Sequence, residues 1–478
     1  MKKTLLTILL CCTCLSTFAA VNIRDFGAKG DGKTLDSPAI NAAIEQLAST
    51  GGGTINFPAG TYMCYSIRLK DNIRLHLESG AVIKAAMPEG DKGFDLPEET
   101  PSRYQDFGHS HWKNSLIWGI GLSNLTIDGE GLIDGTGSLS REGQREGGPY
   151  RPIGNKAISL KECKNVKIDG ISMLNCGHFA LLLTGVDNLT IHKVTVDTNR
   201  DAFDIDCCAN VKIWDCDVNS HHDDGIVLKC SYGLGYAKAT ENVKVWNCRV
   251  SGYDVGTFLD GTNGVSDAFA PDRDGPTGRV KLGTESNGGF RNINVRNCVF
   301  THCRGLALET VDGAVMENIK VSKLYMSDIC NSPIYIRIGD RMRGPKELKP
   351  SEARNITIKN IKVKDADTRY ASIICGIPGH CIENVLIKNV DIEYRGGITL
   401  DDVKNQTGAN SFFLRMGGYP EPSAHGIQPA WGFTVNYAKD VTFKNIKIRT
   451  LKYDERPDRF VENSENIQFI NFESINQK

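Results

Sequence analysis

The stretch NLTIHKVTVDTNRDAFDIDCCANVKIWDCDV (residues 188–218) holds two copies of one short pattern: an Asn followed by apolar residues one, three, six and eight positions later. The positions one and three past the start are apolar in every copy that we find along the chain. These copies begin at Asn124, Asn165, Asn188, Asn210, Asn242, Asn292, Asn318, Asn355, Asn384, Asp440 and Asn466. Apolar residues at every second position, many of them β-branched and bounded by Gly or Asn, predict β-strands.

The spacing of the copies predicts the fold. Intervals of 23, 22, 26 and 29 residues separate several neighbouring copies, which is too short for a repeated strand–helix unit. They suit single coils of a solenoid, in which stacked coils bury a continuous interior. We therefore predict an all-β fold, with one parallel β-helix domain over residues 21–478 and a ladder of Asn side chains at one turn.

Other segments of the chain depart from this repeat. LDSPAINAAIEQLA (35–48) is amphipathic at helical spacing, and we predict that it forms a helix that caps the N-terminal end of the solenoid. Three excursions, at about 86–118, 252–278 and 395–439, interrupt the coils. Loops of this length are often functional, and each could form the wall of a groove.

The N-terminal residues 1–20 are typical of a secretory signal peptide. Lys2 and Lys3 precede the apolar run Leu5–Leu15, and small residues follow it. This run is shorter than the ~20 residues that a membrane span needs. We therefore predict an exported protein, periplasmic or extracellular, without a membrane span.

Composition limits the remaining function classes. The 478 residues include 56 Lys and Arg against 57 Asp and Glu, so no nucleic-acid partner is expected. Of 16 Cys, 13 follow the predicted signal, and several occupy apolar repeat positions, so we expect core packing for most of them, while export would allow one or two disulfides. The Cys and His spacing does not indicate a metal site, and we expect a monomer that needs no cofactor.

The repeat register points to a set of acidic side chains. Thirteen positions past three successive pattern starts lie His178, Asp201 and Asp223, and Asp224 follows directly. Adjacent coils of a parallel sheet stand ~4.8 Å apart, so we expect the first three to line up on one flank. Carboxylates that close cannot all ionise normally, and one should hold a proton near neutral pH. Such a group could protonate a glycosidic oxygen while another carboxylate activates water.

Basic residues follow the acidic ones along the chain. Lys229, Arg279, Lys281 and Arg337 could bind a uronate carboxylate, although each alone is also consistent with a solvated surface charge. His222 directly precedes Asp223. We predict these residues, with His178, as substrate-binding candidates.

Several of these segments resemble the polygalacturonases, glycoside hydrolase family 28. Residues 21–62 resemble the N-terminal cap and first coil of pectin-degrading β-helix enzymes. Residues 199–204 (NRDAFD) resemble the family's Asn-Thr-Asp motif, and 222–229 (HDDGIVLK) its paired-Asp motif. The resemblance implies a right-handed parallel β-helix and hydrolysis that inverts the anomeric centre. It further implies Asp223 as the general acid, with Asp201 and Asp224 activating water.

Two family motifs are replaced in this chain. Thr277-Gly278-Arg279 stands where Gly-His-Gly is expected, and Leu306-Ala307-Leu308-Glu309 where Arg-Ile-Lys is expected. Glu309 would repel a uronate carboxylate beyond the scissile bond. The leaving sugar could therefore be neutral, for example rhamnose, or Arg279, Lys281 or Arg337 could hold its carboxylate. Glu309 could also take part in catalysis.

The sequence thus predicts an exported hydrolase of galacturonan or rhamnogalacturonan. We expect exo-action, because the excursions could close one end of a groove. A polysaccharide lyase on the same solenoid, often dependent on Ca²⁺, is an alternative reading of the acidic cluster. A non-catalytic glycan-binding solenoid is a third, because two family motifs are altered.

Overall fold

The computed structural model describes residues 19–99, 104–140, 150–266, 275–406 and 417–477. Residues 1–18 of the predicted signal peptide lie outside these ranges. Ala19 and Ala20 open the first strand and pair with Gly53 and Thr54. All three predicted excursions are described in part.

The described residues form 34 strands and three α-helices, with 3₁₀ turns at Ile23–Phe26 and Pro422–His425. The helices are α1 (Ser37–Ser49), α2 (Phe107–Ser110) and α3 (Leu400–Asn405). The first strands are β1 (Ala19–Asn22), β2 (Asp31–Leu35), β3 (Gly53–Phe57), β4 (Gly60–Cys64), β5 (Ile67–Arg68), β6 (Ile73–Leu77), β7 (Ala81–Ala85), β8 (Ser115–Ile120), β9 (Ser123–Gly129), β10 (Leu132–Asp134), β11 (Lys156–Lys161), β12 (Lys164–Asp169), β13 (Ser172–Leu174), β14 (Phe179–Thr184), β15 (Asp187–His192), β16 (Thr195–Thr198) and β17 (Asp201–Asp206). The remaining strands are β18 (Ala209–Trp214), β19 (Asp217–Ser220), β20 (Ile226–Cys230), β21 (Thr240–Trp246), β22 (Arg249–Ser251), β23 (Val280–Ser286), β24 (Phe290–Cys303), β25 (Leu306–Thr310), β26 (Val315–Ile329), β27 (Ile334–Ile338), β28 (Glu352–Ala366), β29 (Ser372–Cys375), β30 (Ile382–Gly396), β31 (Phe433–Asn436), β32 (Ala438–Lys452), β33 (Arg459–Glu462) and β34 (Glu465–Ile475).

The strands wind into a parallel β-helix, as the repeat predicts. Each strand pairs in parallel with its equivalents one coil before and after, for example β12 with β15 and β15 with β18. A sheet of 12 strands runs along one flank (β5, β8, β11, β14, β17, β20, β23, β25, β27, β29, β31 and β33), and we call it the site sheet. The other 22 strands form a second sheet around the rest of each coil.

The recurrent Asn residues form the predicted ladder. Asn188 has a φ of 58°, a left-handed conformation that Asn tolerates better than most residues. Its Nδ2 donates to Asn165 Oδ1 at 3.0 Å and its Oδ1 accepts from Asn210 Nδ2 at 3.2 Å. A second ladder, which the sequence analysis missed, runs five positions later through residues such as Asn247 and Asn297.

The interior is one continuous apolar core. It extends from Ile23 near the N-terminus to Ile448, and the Ile and Val residues of the repeat fill it. All 13 described Cys are free thiols, 11 of them buried and only Cys330 and Cys381 partly exposed. Core packing of Cys is therefore confirmed, and the described Cys residues form no disulfide.

The predicted cap helix is confirmed as α1. It buries Ile40, Ala43, Ile44 and Leu47, the apolar side of the predicted pattern, at the first coils. Within the described residues, no helix has the length and apolar character needed to cross a bilayer.

Two of the excursions cover parts of the outer face of the site sheet. Trp112, from the first excursion, packs on Phe179 and Leu182 of β14. From the third excursion, His425 Nε2 lies 2.8 Å from the hydroxyl of Tyr335 on β27. The face between these two contacts carries the candidate site.

Candidate active site

The backbone brings Asp201, Asp223 and Asp224 together at the N-terminal ends of two neighbouring strands of the site sheet. Asp201 is the first residue of β17, and the paired aspartates end one residue before β20. The amide of Ala202 donates to the carbonyl of Asp224 at 3.1 Å across these two coils. Gly278 N donates to the Asp223 carbonyl at 2.8 Å, so the end of the second excursion fixes this turn. A Cβ at residue 278 would lie 1.9 Å from a backbone oxygen, so only Gly fits there.

The predicted row of His178, Asp201 and Asp223 is wrong by one residue. Asp201 pairs with Phe179, not His178. Counting back from the pair Phe203 and Ile226 places Asp201 level with Asp224. Counting thirteen positions from the Asn of each repeat gave the wrong row, because the turn before the site sheet differs in length by one residue between neighbouring coils.

The three carboxyls form one compact group. One oxygen from each of Asp201, Asp223 and Asp224 lies within 4.8 Å of the others. The residues are only 4%, 5% and 2% exposed. Burial and the negative charge of Asp223 raise the pKa of Asp201 to about 7. Because carboxyls this close titrate together, the group as a whole holds a proton near neutral pH.

Lys229 lies at the centre of a second contact group beside Asp201. Its Nζ is 3.0 Å from Asp201 Oδ2, 2.6 Å from Asp204 Oδ2 and 2.5 Å from His109 Nε2. Burial opposes its charge, but Asp201 and Asp204 raise the pKa of Lys229 well above the ordinary value. His109, Asp201 and Asp204 also have the spacing of metal ligands, and the ammonium group already supplies a cation to them.

Each of the paired aspartates faces a guanidinium. Arg200 NH2 lies 2.6 Å from Asp223 Oδ2, and Arg279 Nε donates to Asp224 Oδ1 at 2.8 Å. Lys281 Nζ lies 3.4 Å from Asp224 Oδ2. The predicted basic residues Lys229, Arg279 and Lys281 are therefore brought to the aspartates.

A second acidic pair continues this network along the site sheet. Glu309 Oε2 lies 3.4 Å from Lys281 Nζ, and burial raises the pKa of Glu309 to about 7. Glu421, from the third excursion, accepts from Arg279 NH2 at 2.5 Å. Arg304 NH1 lies 3.0 Å from the other oxygen of Glu421. Arginine, lysine and glutamate thus alternate in an almost fully buried network.

Comparison with known proteins agrees with the geometry. The family described as Rhamnogalacturonase A/epimerase, pectate lyase-like matches residues 20–253. A probable polygalacturonase of Vitis vinifera is 28% identical over 298 residues, which cover 58% of this chain and 60% of that protein. An exopolygalacturonase of Arabidopsis thaliana is 24% identical over 79% of this chain and 78% of its own length. These matches show that the chain is similar to polygalacturonases over most of its length.

Solved structures support the fold. The exopolygalacturonase of Thermotoga maritima aligns with a TM-score of 0.61 at 24% identity, covering 79% of this chain and 87% of the other. The family 28 exopolygalacturonase of Yersinia enterocolitica aligns with a TM-score of 0.66 at 17% identity, covering 95% and 78%.

The remaining predicted site residues lie on or beside the site sheet. His178 is buried and stacks on Phe179, with ring centroids 4.3 Å apart. His222 is partly buried, and burial lowers its pKa. Arg337 on β27 lies level with Glu309 on β25 in the strand register, one coil later in the chain, and it is 1% exposed. Its NH1 donates to Gly376 O at 3.1 Å.

The sequence analysis missed residues that lie far away along the chain. His109 and Glu421 come from the first and third excursions, where no repeat register applies. Arg200 could have been found, because it replaces Thr in the Asn-Thr-Asp motif directly before Asp201. Glu285, whose Oε2 lies 3.6 Å from Lys229 Nζ, was not predicted.

Proposed function

We propose that the protein hydrolyses a glycosidic bond in pectic oligosaccharides, derived from galacturonan or rhamnogalacturonan. The observation that carries this proposal is the group formed by Asp201, Asp223 and Asp224. It combines closely spaced carboxyls with a proton held near neutral pH, which is the requirement for acid-assisted cleavage.

The family resemblance supports the roles of the three residues. In the reactive form the proton shared by the group is on Asp223, which donates it to the leaving oxygen, while Asp201 and Asp224 accept hydrogen bonds from the attacking water and one of them takes its proton. A carboxyl spacing under 4.8 Å by itself resembles the shorter gap of retaining enzymes. We propose inversion, following the resemblance, and the anomer of the first product, observed by proton NMR, tests this point.

Substitution of the acid distinguishes the roles. We expect Asp223→Asn to reduce release of reducing sugar from natural oligosaccharides by at least about 100-fold, because general acid catalysis contributes roughly 10²–10⁴-fold. An aryl glycoside with an acidic phenol needs little protonation, so this variant should retain much of its activity on that substrate. Asp201→Asn and Asp224→Asn should lose activity on both substrates.

A surface variant serves as the matched control. Asp217→Asn removes a carboxylate from an exposed ion pair with Arg249, and it should leave both activities unchanged. Retained aryl-glycoside activity in Asp201→Asn instead of Asp223→Asn would assign the acid role to Asp201. Unchanged activity of all three site variants would refute the proposed hydrolase site.

A lyase remains a second candidate for two reasons. Asp201, Asp223 and Asp224 have the spacing of metal ligands, and a 119-residue segment is 35% identical to alginate lyase 7 of Azotobacter vinelandii. That match spans 24% of this chain and 14% of the other protein. A lyase product absorbs ultraviolet light and chelators would stop its formation, whereas hydrolysis produces only new reducing ends.

We also propose that the protein acts at chain ends and is exported. The covered regions around Trp112 and His425 leave a short stretch of the site sheet for substrate, which supports exo-action. Export is supported by the sequence of residues 1–20. Comparison of the mature N-terminus with the encoded one tests export directly.

A further inference from the structure

Glu421 binds two arginines at the border of the acidic group. Its Oε1 accepts from Arg279 NH2 at 2.5 Å, and its Oε2 lies 3.3 Å from Arg279 NH1 and 3.0 Å from Arg304 NH1. The side chains of Arg279 and Arg304 are 2% and 1% exposed, and that of Glu421 is 7% exposed. Glu421 is therefore the most accessible member of this trio.

The segment that carries Glu421 is anchored by further contacts. Four residues later, His425 bonds to Tyr335, and the amide of Gln428 donates to the carbonyl of Arg369 at 2.8 Å. Tyr419, two residues before, lies 3.2 Å from Lys281 Nζ through its hydroxyl. These contacts hold the carboxylate in place on the site sheet.

The cations of this network already have carboxyl partners among the described residues. Arg279, Lys281 and Arg304 provide three positive charges. Three carboxyls face them at 4.0 Å or less, those of Asp224, Glu309 and Glu421. A uronate carboxylate entering here would meet cations that are already paired, and it would have to displace or repel a fixed anion.

We propose that Glu421 is the specificity-determining residue of the site: its carboxylate occupies the position on Arg279 and Arg304 that an acidic sugar would need, so the sugar bound beside it is neutral. This inference rests on the proposed function and narrows it. The substrate class becomes a pectic oligosaccharide with an uncharged sugar next to the scissile bond.

Removal of the Glu421 charge tests the inference through binding. D-galacturonate and D-galactose differ by one carboxylate, and NMR titration measures the affinity of each for the protein. The wild type should show no preference for galacturonate. Glu421→Gln keeps the shape of the side chain, and we expect it to bind galacturonate at least about tenfold more tightly than the wild type does, since a charge-assisted Arg–carboxylate bond is strong.

Glu317→Gln is the matched control. Glu317 also lies between two arginines, Arg291 at 3.6 Å and Arg354 at 2.8 Å, but on the second sheet. It should not change the binding of either sugar. An equal gain in the control, or no gain in a folded Glu421→Gln protein, would overturn the inference.

Turnover by the wild type gives a second, independent test that needs no variant. We expect kcat/KM to be at least about tenfold higher for oligosaccharides with a neutral leaving sugar than for those with galacturonate in that position. Equal values would overturn the inference even if Glu421→Gln failed to fold. Gain of galacturonate binding in a protein that cleaves neither substrate would instead refute the proposed function and support the role of Glu421.

Discussion

Asp201 links the chemistry of the site to the pH dependence of stability. Its pKa is raised from 3.8 to about 7, so the folded protein binds a proton between these values that the unfolded chain does not bind. Stability from this proton is fully present below about pH 4 and is lost as the pH rises through 7. The free energy of unfolding of Asp201→Asn, measured relative to that of the wild type, should therefore increase by about 1–3 kcal/mol as the pH rises from 4.5 to 8.

Urea unfolding at several pH values measures this difference. Glu309, with a pKa also raised to about 7, contributes in the same direction and remains in the variant, so the slope should decrease without vanishing. The exposed substitution Asp217→Asn should leave the slope as it is. A constant difference between wild type and Asp201→Asn across the range would contradict a raised pKa.

Arg200 is expected to set the pH range of activity through Asp223. A guanidinium 2.6 Å from a carboxylate favours its ionised form, so removal of the guanidinium favours the protonated form. We expect Arg200→Thr to shift the pH–kcat/KM profile upward, by about 0.5–1 pH unit, with Arg200→Lys close to the wild type. A merely structural role would lower activity at all pH values without moving the profile.

At the scale of single residues, the repeat and the resemblance select the same three aspartates, Asp201, Asp223 and Asp224, and the structure brings their carboxyls close together. Their row was misplaced, because a one-residue change in a turn shifts the register of everything that follows. The buried state of Arg279 and Lys281 could not be predicted either, since their counter-ions lie far away in the sequence.

At the scale of elements, the Asn turn is expected to contribute stability in two ways. Asn188 has a φ of 58° and takes part in ladder bonds to Asn165 and Asn210. Asn188→Ala removes the bonds and strains the backbone, so we expect a loss of about 1–3 kcal/mol. Asn188→Gly removes the bonds but accepts the φ value, so its loss should be smaller.

Chemical denaturation of both variants separates these effects. Equal losses for Ala and Gly would show that the backbone conformation contributes nothing. Leu35, exposed at the end of β2, offers a control position where substitution to Ala should have little effect on the free energy of unfolding.

The excursions mark the limit of prediction at this scale. Their existence was evident from interruptions of the repeat, and their role as walls of the site region is consistent with Trp112 and His425 covering the site sheet. Their contacts were not predictable, because no periodicity relates His109 or Glu421 to the coils. The residues of the coils follow a local sequence repeat, whereas the positions of His109 and Glu421 depend only on the three-dimensional fold.

At the scale of the whole molecule, a continuous core turns the solenoid into a rigid platform. Pairing of each coil with the next places Asp201 and Asp224 one strand spacing apart, and the end of the second excursion fixes the turn at Asp223. The carboxyls that we propose as catalytic lie on this platform, whereas Glu421, which we propose as specificity-determining, lies on an excursion, so the two can vary separately.

Contacts on both sides of the site region, together with the proposed exo-action, predict the lengths of the first products. On one side, His109 lies against Phe179, ring centroids 4.6 Å apart, within about one coil of Asp201. On the other side, Tyr419 and Glu421 cover Lys281 and Arg279. Under the proposed exo-action these contacts stop a polymer from extending past the site, so we expect the earliest time points to show only the smallest product beside full-length substrate. Size-resolved analysis of a digest, beside one from an endo-acting pectinase, checks this expectation, and early products of intermediate length would show that the site is open and the excursions do not limit it.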